Sequence, residues 1–579
     1  MPRSGAPSFP GALGGMFPVD TPPMVPIGLR AKLHLVAFGI GEALVRVTMA
    51  LLLIGATAAG ISAEQSTPHP ASYFEPAPCP CDVPPELQSR VHCGYLSVPE
   101  DRQKTSGKVL RLAVAVIHSS HPRPAPDPVV YLEGGPGGGT LAHLADWVDA
   151  PLLRDRDLIL FDQRGSGFSE PDLWCSELEE AEYSMLDKVV SPDRRQEAFS
   201  RAAQACASRL ERAGVDLSCY NTAAIAADVE DLRRALGYAR WNLYGVSYGT
   251  RVTLVSLRDF PQGIRSVVMD SCVPLEVQEY EEAPRNALRA FDRLFQACRE
   301  DPSCHRVFPD LEGTFAHLVE RFNADPLPLE VTVVGAEGEE EVISMAFSGN
   351  DLLGTLFQLL YDHQAIPYIP LLIERLRRRE YTPLGAIASD LLVGGLGDGL
   401  YLCVECRDEA LFNWSSDVAE NLNLLPPGRR YNPYPYDLEL CAVWPSGNAP
   451  LRESFPVASD LPALVMAGGF DPVTPPEWSR MVARTLPNAF YVEFPSLGHG
   501  VSTTSCGGEA VAAFFRNPLR PPAPGCLMRA APLSFALEQK GQESPYGIAD
   551  PESPPPSQGL LEALWKFLRQ SMEIPSEEP

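Results

Sequence analysis

The residues best suited to chemistry fall in three short strings. The first is Gly245-Val-Ser-Tyr-Gly249, which follows the apolar run Trp241–Tyr244 and precedes a stretch with helical spacing. A serine on a tight strand-to-helix turn sits in strained backbone geometry, and the flanking glycines remove side chains that would clash there. Such a turn lifts the Ser247 hydroxyl above a sheet. The next amide and the helix N-terminus then face developing negative charge. The chemistry implied is acyl transfer with Ser247 as nucleophile. On its own, G-x-S-x-G is equally compatible with an ordinary turn.

The second string is Glu133-Gly-Gly-Pro-Gly-Gly-Gly139, directly after Val129–Leu132. Its glycines let the backbone approach a substrate carbonyl closely. The amide of Gly135, with that of Tyr248, would form an oxyanion hole, and removing one such donor costs about 2.7–4 kcal/mol. A phosphate loop would need a following G-K-[ST], which is missing here.

Serine needs a base, and the base needs an orienting acid. For a serine on this kind of turn the chain order is Ser, then Asp or Glu, then His. Of the 10 histidines, His499 lies between Gly498 and Gly500, just after the apolar run Tyr491–Phe494. Asp471 follows Ala463–Met466 in Gly468-Gly-Phe-Asp471. The interval between them has room for one helix and one strand. Asp270, after Val267–Met269, is the competing acid. The scheme needs neither a metal nor an organic cofactor.

These groups must be positioned by a common scaffold. Val109–Ile117, Val129–Leu132, Leu158–Phe161, Trp241–Tyr244, Val267–Met269, Ala463–Met466 and Tyr491–Phe494 read as strands. Helical patterns lie between them, and Asp228 is placed to cap a helix bearing Val229, Leu232 and Leu236. Short buried apolar runs alternating with helices predict an α/β fold with a mostly parallel sheet covered on both faces. From residue 276 to 435 the strand pattern stops. Ala287–Cys298, Phe315–Phe322, Leu352–Tyr361 and Ile369–Arg378 show helical spacing, and Leu329–Val334 with Val342–Met345 suits a hairpin. The expected organisation is a leader over 1–63, a core in two parts over 64–275 and 436–530, a helical cap over 276–435, and a Pro- and Glu-rich tail over 531–579. Residues 64–100 are expected to lie over the domain surface, and Leu560–Leu568 to form a docked surface helix.

Composition narrows the function classes. The chain has 579 residues, and its net charge of −27 leaves no basic stripe to replace phosphate counterions, so nucleic acid is excluded as partner. Arg30, Lys32 and Arg46 precede the apolar run Val47–Ile54, and Ala56-Thr57-Ala58 fits a signal-peptide cleavage pattern, with cleavage after Ala63 a second option. The leader begins far into the chain, which makes Met24 one alternative start. The run is short for a membrane span, although an uncleaved anchor is the rival reading. All 14 cysteines follow this segment, and export would pair them as disulfides. Cys298 with Cys304 and Cys506 with Cys526 are the favoured pairs, since short loops close cheaply. Metal binding is the competing use. The close pairs Cys79/Cys81 and Cys403/Cys406 have no matching partner pair at zinc spacing.

Longer strings carry a resemblance. They are GGPGGG at 134–139, DQRGSGFSEP at 162–171, LYGVSYGTR at 243–251, CAVWP at 441–445, GGFDPVTPPEWSRMVARTLPNA at 468–489, and GHG at 498–500 with Cys506 following. Across roughly residues 90–275 and 400–526 the chain resembles the α/β-hydrolase peptidases that include proline iminopeptidase and the bacterial tripeptidyl aminopeptidases. The resemblance implies the α/β-hydrolase fold, a triad of Ser247, Asp471 and His499, and removal of one or a few residues from a free peptide N-terminus. It further implies acidic groups near the cap that bind the substrate ammonium. Glu405, Asp408 and Glu409 are candidates. Glu133 is another, standing where proline iminopeptidases usually have histidine; it either binds the amine or only caps its turn. A carboxylesterase or lipase would use the same triad, and a catalytically silent secreted binding protein is the rival from another class. The sequence leaves the oligomeric state open.

Overall fold

Apolar runs bounded by glycine, proline or aspartate build the sheet that positions the site. The computed structural model describes residues 72–104, 107–334, 340–392, 399–522, 525–526 and 533–537. Its strands are β1 (Tyr73–Pro76), β2 (Val91–Pro99), β3 (Val109–Ile117), β4 (Val129–Leu132), β5 (Leu158–Phe161), β6 (Trp241–Val246), β7 (Ile264–Asp270), β8 (Leu327–Val334), β9 (Glu340–Phe347), β10 (Ala463–Gly468) and β11 (Ala489–Phe494). Nine form one sheet in the order β1-β2-β3-β5-β4-β6-β7-β10-β11, and β8 pairs with β9 apart from it. From β5 to β11 every pairing is parallel, while β1, β2 and β3 join antiparallel at one side. This is the α/β-hydrolase architecture that the sequence predicts.

Every residue of β4, β5, β6 and β10 is buried, as a parallel sheet covered on both faces requires. Leu243, Val267 and Val465 pack with Val252 and Val255 of the helix Tyr248–Asp259 on one face. Tyr244, Val268 and Leu464 pack with Val511 and Phe514 of the helix Ser505–Arg516 on the other.

Between β7 and β10 the chain leaves the sheet and forms the cap. Its long helices are Glu279–Glu300, Leu311–Ala324 and Gly349–Tyr361. They close over a core of their own, in which Phe291, Phe295, Phe315, Phe322 and Phe347 are fully buried. These helices start earlier than the apolar spacing alone indicates, and in the latter two the capping groups lie outside the apolar stripe. Asp310 accepts the Gly313 amide, and Ser348 forms a capping box with Asp351.

Several expectations need correction. Residues 91–99 do not lie over the surface; they form β2, in continuous register with β3 from Val91↔Ile117 to Pro99↔Val109. Asp228 caps nothing. The helix spans Thr222–Ala235, and the Asn221 side chain caps it by accepting the Ala224 amide at 3.0 Å. Asp228 is instead fully buried against Arg164, at 2.7 and 2.8 Å, and also pairs with Arg102. Two helices between β5 and β6, Ser176–Tyr183 and Pro192–Arg212, were not anticipated. The tail is not wholly separate either. Leu533, Phe535 and Leu537 pack against the cap core, and the Ala536 amide donates to the Pro367 carbonyl at 3.0 Å. The leader, Leu560–Leu568 and the rest of the tail lie outside the described residues.

Five disulfides are present: Cys79–Cys93, Cys175–Cys206, Cys298–Cys304, Cys406–Cys441 and Cys506–Cys526. They include both favoured pairs, and they bridge only one cysteine of each close pair, Cys79 and Cys406. The expectation that all the cysteines pair is not met. Cys272 is a buried thiol that desolvation pushes up to about 12, Cys81 and Cys219 are also thiols, and Cys403 accepts the Trp444 indole N–H. Among the described residues no helix is long and apolar enough to cross a membrane.

The Asp228 site yields a stability prediction. Asp228→Asn leaves the buried Arg164 without its counter-charge and is expected to lower the unfolding free energy by about 3–5 kcal/mol. Urea denaturation of the oxidised protein measures it. A loss under about 1 kcal/mol would show that backbone carbonyls alone satisfy Arg164.

Candidate active site

Strand β6 ends at Val246, and the helix Tyr248–Asp259 begins one residue after Ser247. Ser247 has φ 56° and ψ −126°, a conformation that side chains other than glycine's rarely adopt. The neighbouring glycines make the turn possible. A Cβ on Gly249 would stand 2.0 Å from the Leu132 carbonyl oxygen, and one on Gly245 would stand 2.4 Å from that of Gly249. With those atoms absent, the turn packs directly on the end of β4. The Ser247 amide donates to the Asp270 carbonyl at 2.9 Å, which anchors the strained residue to β7.

The loops after β10 and β11 bring Asp471 and His499 together. Asp471 is fully buried. Its Oδ1 accepts the amides of Val473 at 3.0 Å and Thr474 at 2.8 Å. Its Oδ2 accepts the Thr474 hydroxyl at 2.6 Å and stands 2.8 Å from His499 Nδ1. With the proton on Nδ1, the Nε2 lone pair is available as a base. The His499 amide donates to the Tyr361 carbonyl at 2.9 Å, and the two rings lie 4.9 Å apart. Asp270, the competing acid, is bonded elsewhere. Its carboxylate accepts the Ser502 amide at 2.7 Å, the Ser502 hydroxyl, and the Ser271 hydroxyl at 3.1 Å. Ser271 Oγ in turn accepts the Gly500 amide at 2.9 Å.

The charges of the pair reinforce each other. Burial alone would raise the Asp471 pKa, but the adjacent imidazole and the hydrogen bonds from His499 and Thr474 hold it below the ordinary carboxylate value. Burial alone would lower that of His499, but the Asp471 charge and hydrogen bond, with a smaller contribution from Asp270, hold it above the ordinary imidazole value.

The glycine loop lies against the serine. A Cβ on Gly134 would stand 3.0 Å from Ser247 Cβ and 3.6 Å from its Oγ. The Gly134 amide donates to the Glu133 carboxylate at 2.9 Å. Among the described residues, the amides of Gly135 and Tyr248 donate to no protein acceptor. Gln163 Nε2 holds the Glu133 carbonyl at 3.0 Å and so braces the loop. Glu133 itself accepts from its own turn and from the Tyr131 hydroxyl at 3.4 Å. Its place in the structure is that of a turn brace.

The remaining acidic residues form a buried cluster under the cap. Glu405, Asp408 and Glu409 lie on one π-helical turn, Glu405–Glu409, held by the Cys406–Cys441 bridge. Asp408 accepts the Thr222 amide at 2.8 Å and caps that helix start. Glu409 forms a buried ion pair with Arg251 and accepts the Glu279 amide at 2.9 Å. Among the described residues Glu405 forms no ion pair of its own; it accepts the Tyr280 hydroxyl at 3.0 Å. Burial, Glu279 and Glu409 all push its pKa well up. Glu279 accepts the Tyr434 hydroxyl at 3.3 Å, and burial beside Glu409 pushes it up to about 7. Three carboxylates, Glu279, Glu405 and Glu409, therefore share one guanidinium. Burial, Asp471 and Glu279 raise the phenol of Tyr361, whose ring lies against that of His499. Sequence reading missed Glu279, because it sits in a run of glutamates that resembles a solvated face. It also assigned no role to Arg251, although that residue ends a quoted string.

Residues 127–311 match a family model described as alpha/beta hydrolase fold, and residues 431–525 match one described as TAP-like protein. Ser247 falls in the first match, and Asp471 and His499 in the second. A tripeptidyl aminopeptidase of Streptomyces lividans is 27% identical over 386 residues, covering 63% of this chain and 70% of that protein. The serine protease Hip1 of Mycobacterium tuberculosis is 24% identical over 504 residues, covering 82% and 95%. A protein named carboxylesterase B from the same species is 27% identical over 478 residues, covering 76% and 86%.

Three outcomes follow from the geometry. Ser247→Ala is expected to abolish covalent labelling by a fluorophosphonate, read by intact-protein mass spectrometry; undiminished labelling would put the nucleophile elsewhere. In wild type the labelling rate should fall with decreasing pH from a point above the ordinary imidazole pKa, since protonation of a raised His499 removes the base. Asp471→Asn removes the charge that raises His499, so this limb should move to lower pH. An unmoved limb would mean that another group carries it.

Proposed function

We propose that this chain, with an alpha/beta hydrolase fold domain and a TAP-like C-terminal segment, is an exported serine aminopeptidase that removes one or a few residues from peptide N-termini. The observation that carries the reading is the buried acidic cluster around Arg251, one turn along the helix that begins after Ser247. Three carboxylates around one Arg251 are costly to bury while ionised, unless a further cation completes the set. The ammonium of a free peptide N-terminus is such a cation. Glu405 and Glu279 are the groups best placed to receive it, since Glu409 is engaged by Arg251 and Asp408 by the Thr222 amide. The named activities of the aminopeptidase and protease relatives agree with this reading.

In this mechanism His499 Nε2 takes the Ser247 proton as Oγ attacks the scissile carbonyl. Asp471 keeps the imidazole in the Nδ1–H tautomer and stabilises the imidazolium that forms. The Gly135 and Tyr248 amides receive the oxyanion. His499 then protonates the leaving amine, and a water activated by the same imidazole releases the acyl group. The bridged cysteines support export, because disulfides persist in oxidising compartments. An esterase is the second reading, favoured by the relative named carboxylesterase B.

Acetylating the N-terminus of a good peptide substrate is expected to abolish its turnover; unchanged turnover would favour the esterase. Glu405→Gln should raise KM for free-amine peptides by about 10- to 100-fold, the worth of a charge-assisted hydrogen bond. It should leave hydrolysis of a small neutral ester intact. Equal losses on both substrates would remove Glu405 from amine binding. Asp471→Asn should lower kcat by about 10⁴-fold on either substrate.

A further inference from the structure

Arg289 lies on the cap helix Glu279–Glu300, yet its guanidinium reaches the turn that carries Asp471. Nη1 donates to the Gly469 carbonyl at 3.0 Å, and Nη2 donates to the Asp471 carbonyl. The two carbonyls flank Phe470, which is itself buried in the cap core. Among the described residues Nε has no partner, and no carboxylate lies within ion-pair distance of this guanidinium. The charged groups around it at longer range are Asp471, Glu477, Glu493 and Arg293. Burial in this setting lowers its pKa. A largely buried cation held only by main-chain oxygens is costly, so its contact must do something that an apolar residue would not. A rigid fork of donors matches two carbonyls of one turn, which a lysine's single ammonium cannot reproduce.

We propose that Arg289 is a positioning residue through which the cap sets the catalytic acid: its fork fixes the Gly469–Asp471 turn so that the Asp471 carboxylate stays on His499 Nδ1. The proposal rests on the reading of Ser247, His499 and Asp471 as the catalytic triad. The acid turn has contacts within the core as well. Gly469 and Phe470 amides donate to the Phe494 and Leu497 carbonyls, at 3.0 and 2.9 Å. Those bonds use the amides of the turn, while Arg289 takes its carbonyls. Seating of the cap and geometry of the acid thus become one event.

The test compares Arg289→Lys and Arg289→Met in the full-length oxidised enzyme, with a small neutral ester and a free-amine peptide as substrates. Both variants should lose about 10²-fold in kcat on both substrates, the cost of a displacement near 1 Å in a reacting group, with KM essentially unchanged. The acid limb of kcat for Arg289→Lys should move down toward the ordinary imidazole value. The positive charge is retained there, so the shift reports a weakened Asp471–His499 contact. The other groups facing His499 are Thr474, Asp270 and Tyr361, and the substitution leaves them in place. A lower melting temperature with wild-type kcat and an unmoved limb would overturn the proposal, reducing Arg289 to a structural tie. Should Arg289→Met fail to fold, Arg289→Lys decides. Ser247→Ala run in parallel separates the two readings. If it hydrolyses like wild type, the triad reading itself falls; if it is inactive while Arg289→Lys is unimpaired, only the positioning role falls.

Discussion

The hydrogen bond from the Ser247 amide to the Asp270 carbonyl is the constraint on which the site depends. Ser247 occupies a backbone conformation that costs about 1–3 kcal/mol, and such a conformation persists only where the surroundings over-determine it. Here the surroundings are the ends of three parallel strands. Beneath the turn, β4 closes against Gly249, and β7 supplies the carbonyl. The Asp270 side chain then extends the same anchor to the neighbouring loop through Ser502, and through Ser271 to Gly500. One residue thereby links the serine turn to the histidine loop without touching the His499 ring.

A second link runs from core to cap and is electrostatic. Arg251, one turn along the serine's helix, pairs with Glu409 of the π-helical turn, and the start of the helix Thr222–Ala235 is capped by Asp408 of that turn. The cap has its own apolar core, so these polar ties give it a defined register on the sheet. Being buried, they are strong when complete and costly when broken. The cluster sets the carboxylates of Glu409, Glu405 and Glu279 around Arg251.

Much of the fold was legible because parallel strands buried on both faces leave short, uniformly apolar runs, as in Leu158–Phe161 and Ala463–Met466. The serine turn was legible for a steric reason, since Gly245 and Gly249 are dictated by contacts within a few ångströms of Ser247. Strand β2 was not, because Val91–Pro99 takes its register from β3 and shows little alternation of its own. Asp228 was misread for a similar reason. Its helical position resembles a cap, and its partner Arg164 lies 64 residues away in sequence. Glu279 was invisible because a buried glutamate and a solvated one are the same letter.

The sequence by itself determined the residue types and their chain order: a serine between glycines after one strand, then an acid and a histidine after two later strands. Those are local properties, set by what a tight turn can hold and by what a buried strand must contain. Tertiary structure decided between Asp471 and Asp270, because both follow apolar strands and only the packing of β10 beside β7 and β11 puts one of them on Nδ1. It also decided which of these acids, among the described residues, form an ion pair of their own. Glu405 and Glu279 differ from Asp408 and Glu409 only through Arg251 and the Thr222 amide, which lie far off in the chain and are brought near by the cap. Charge balance in a buried site is a sum over neighbours in space, and a linear order of residues does not contain that sum.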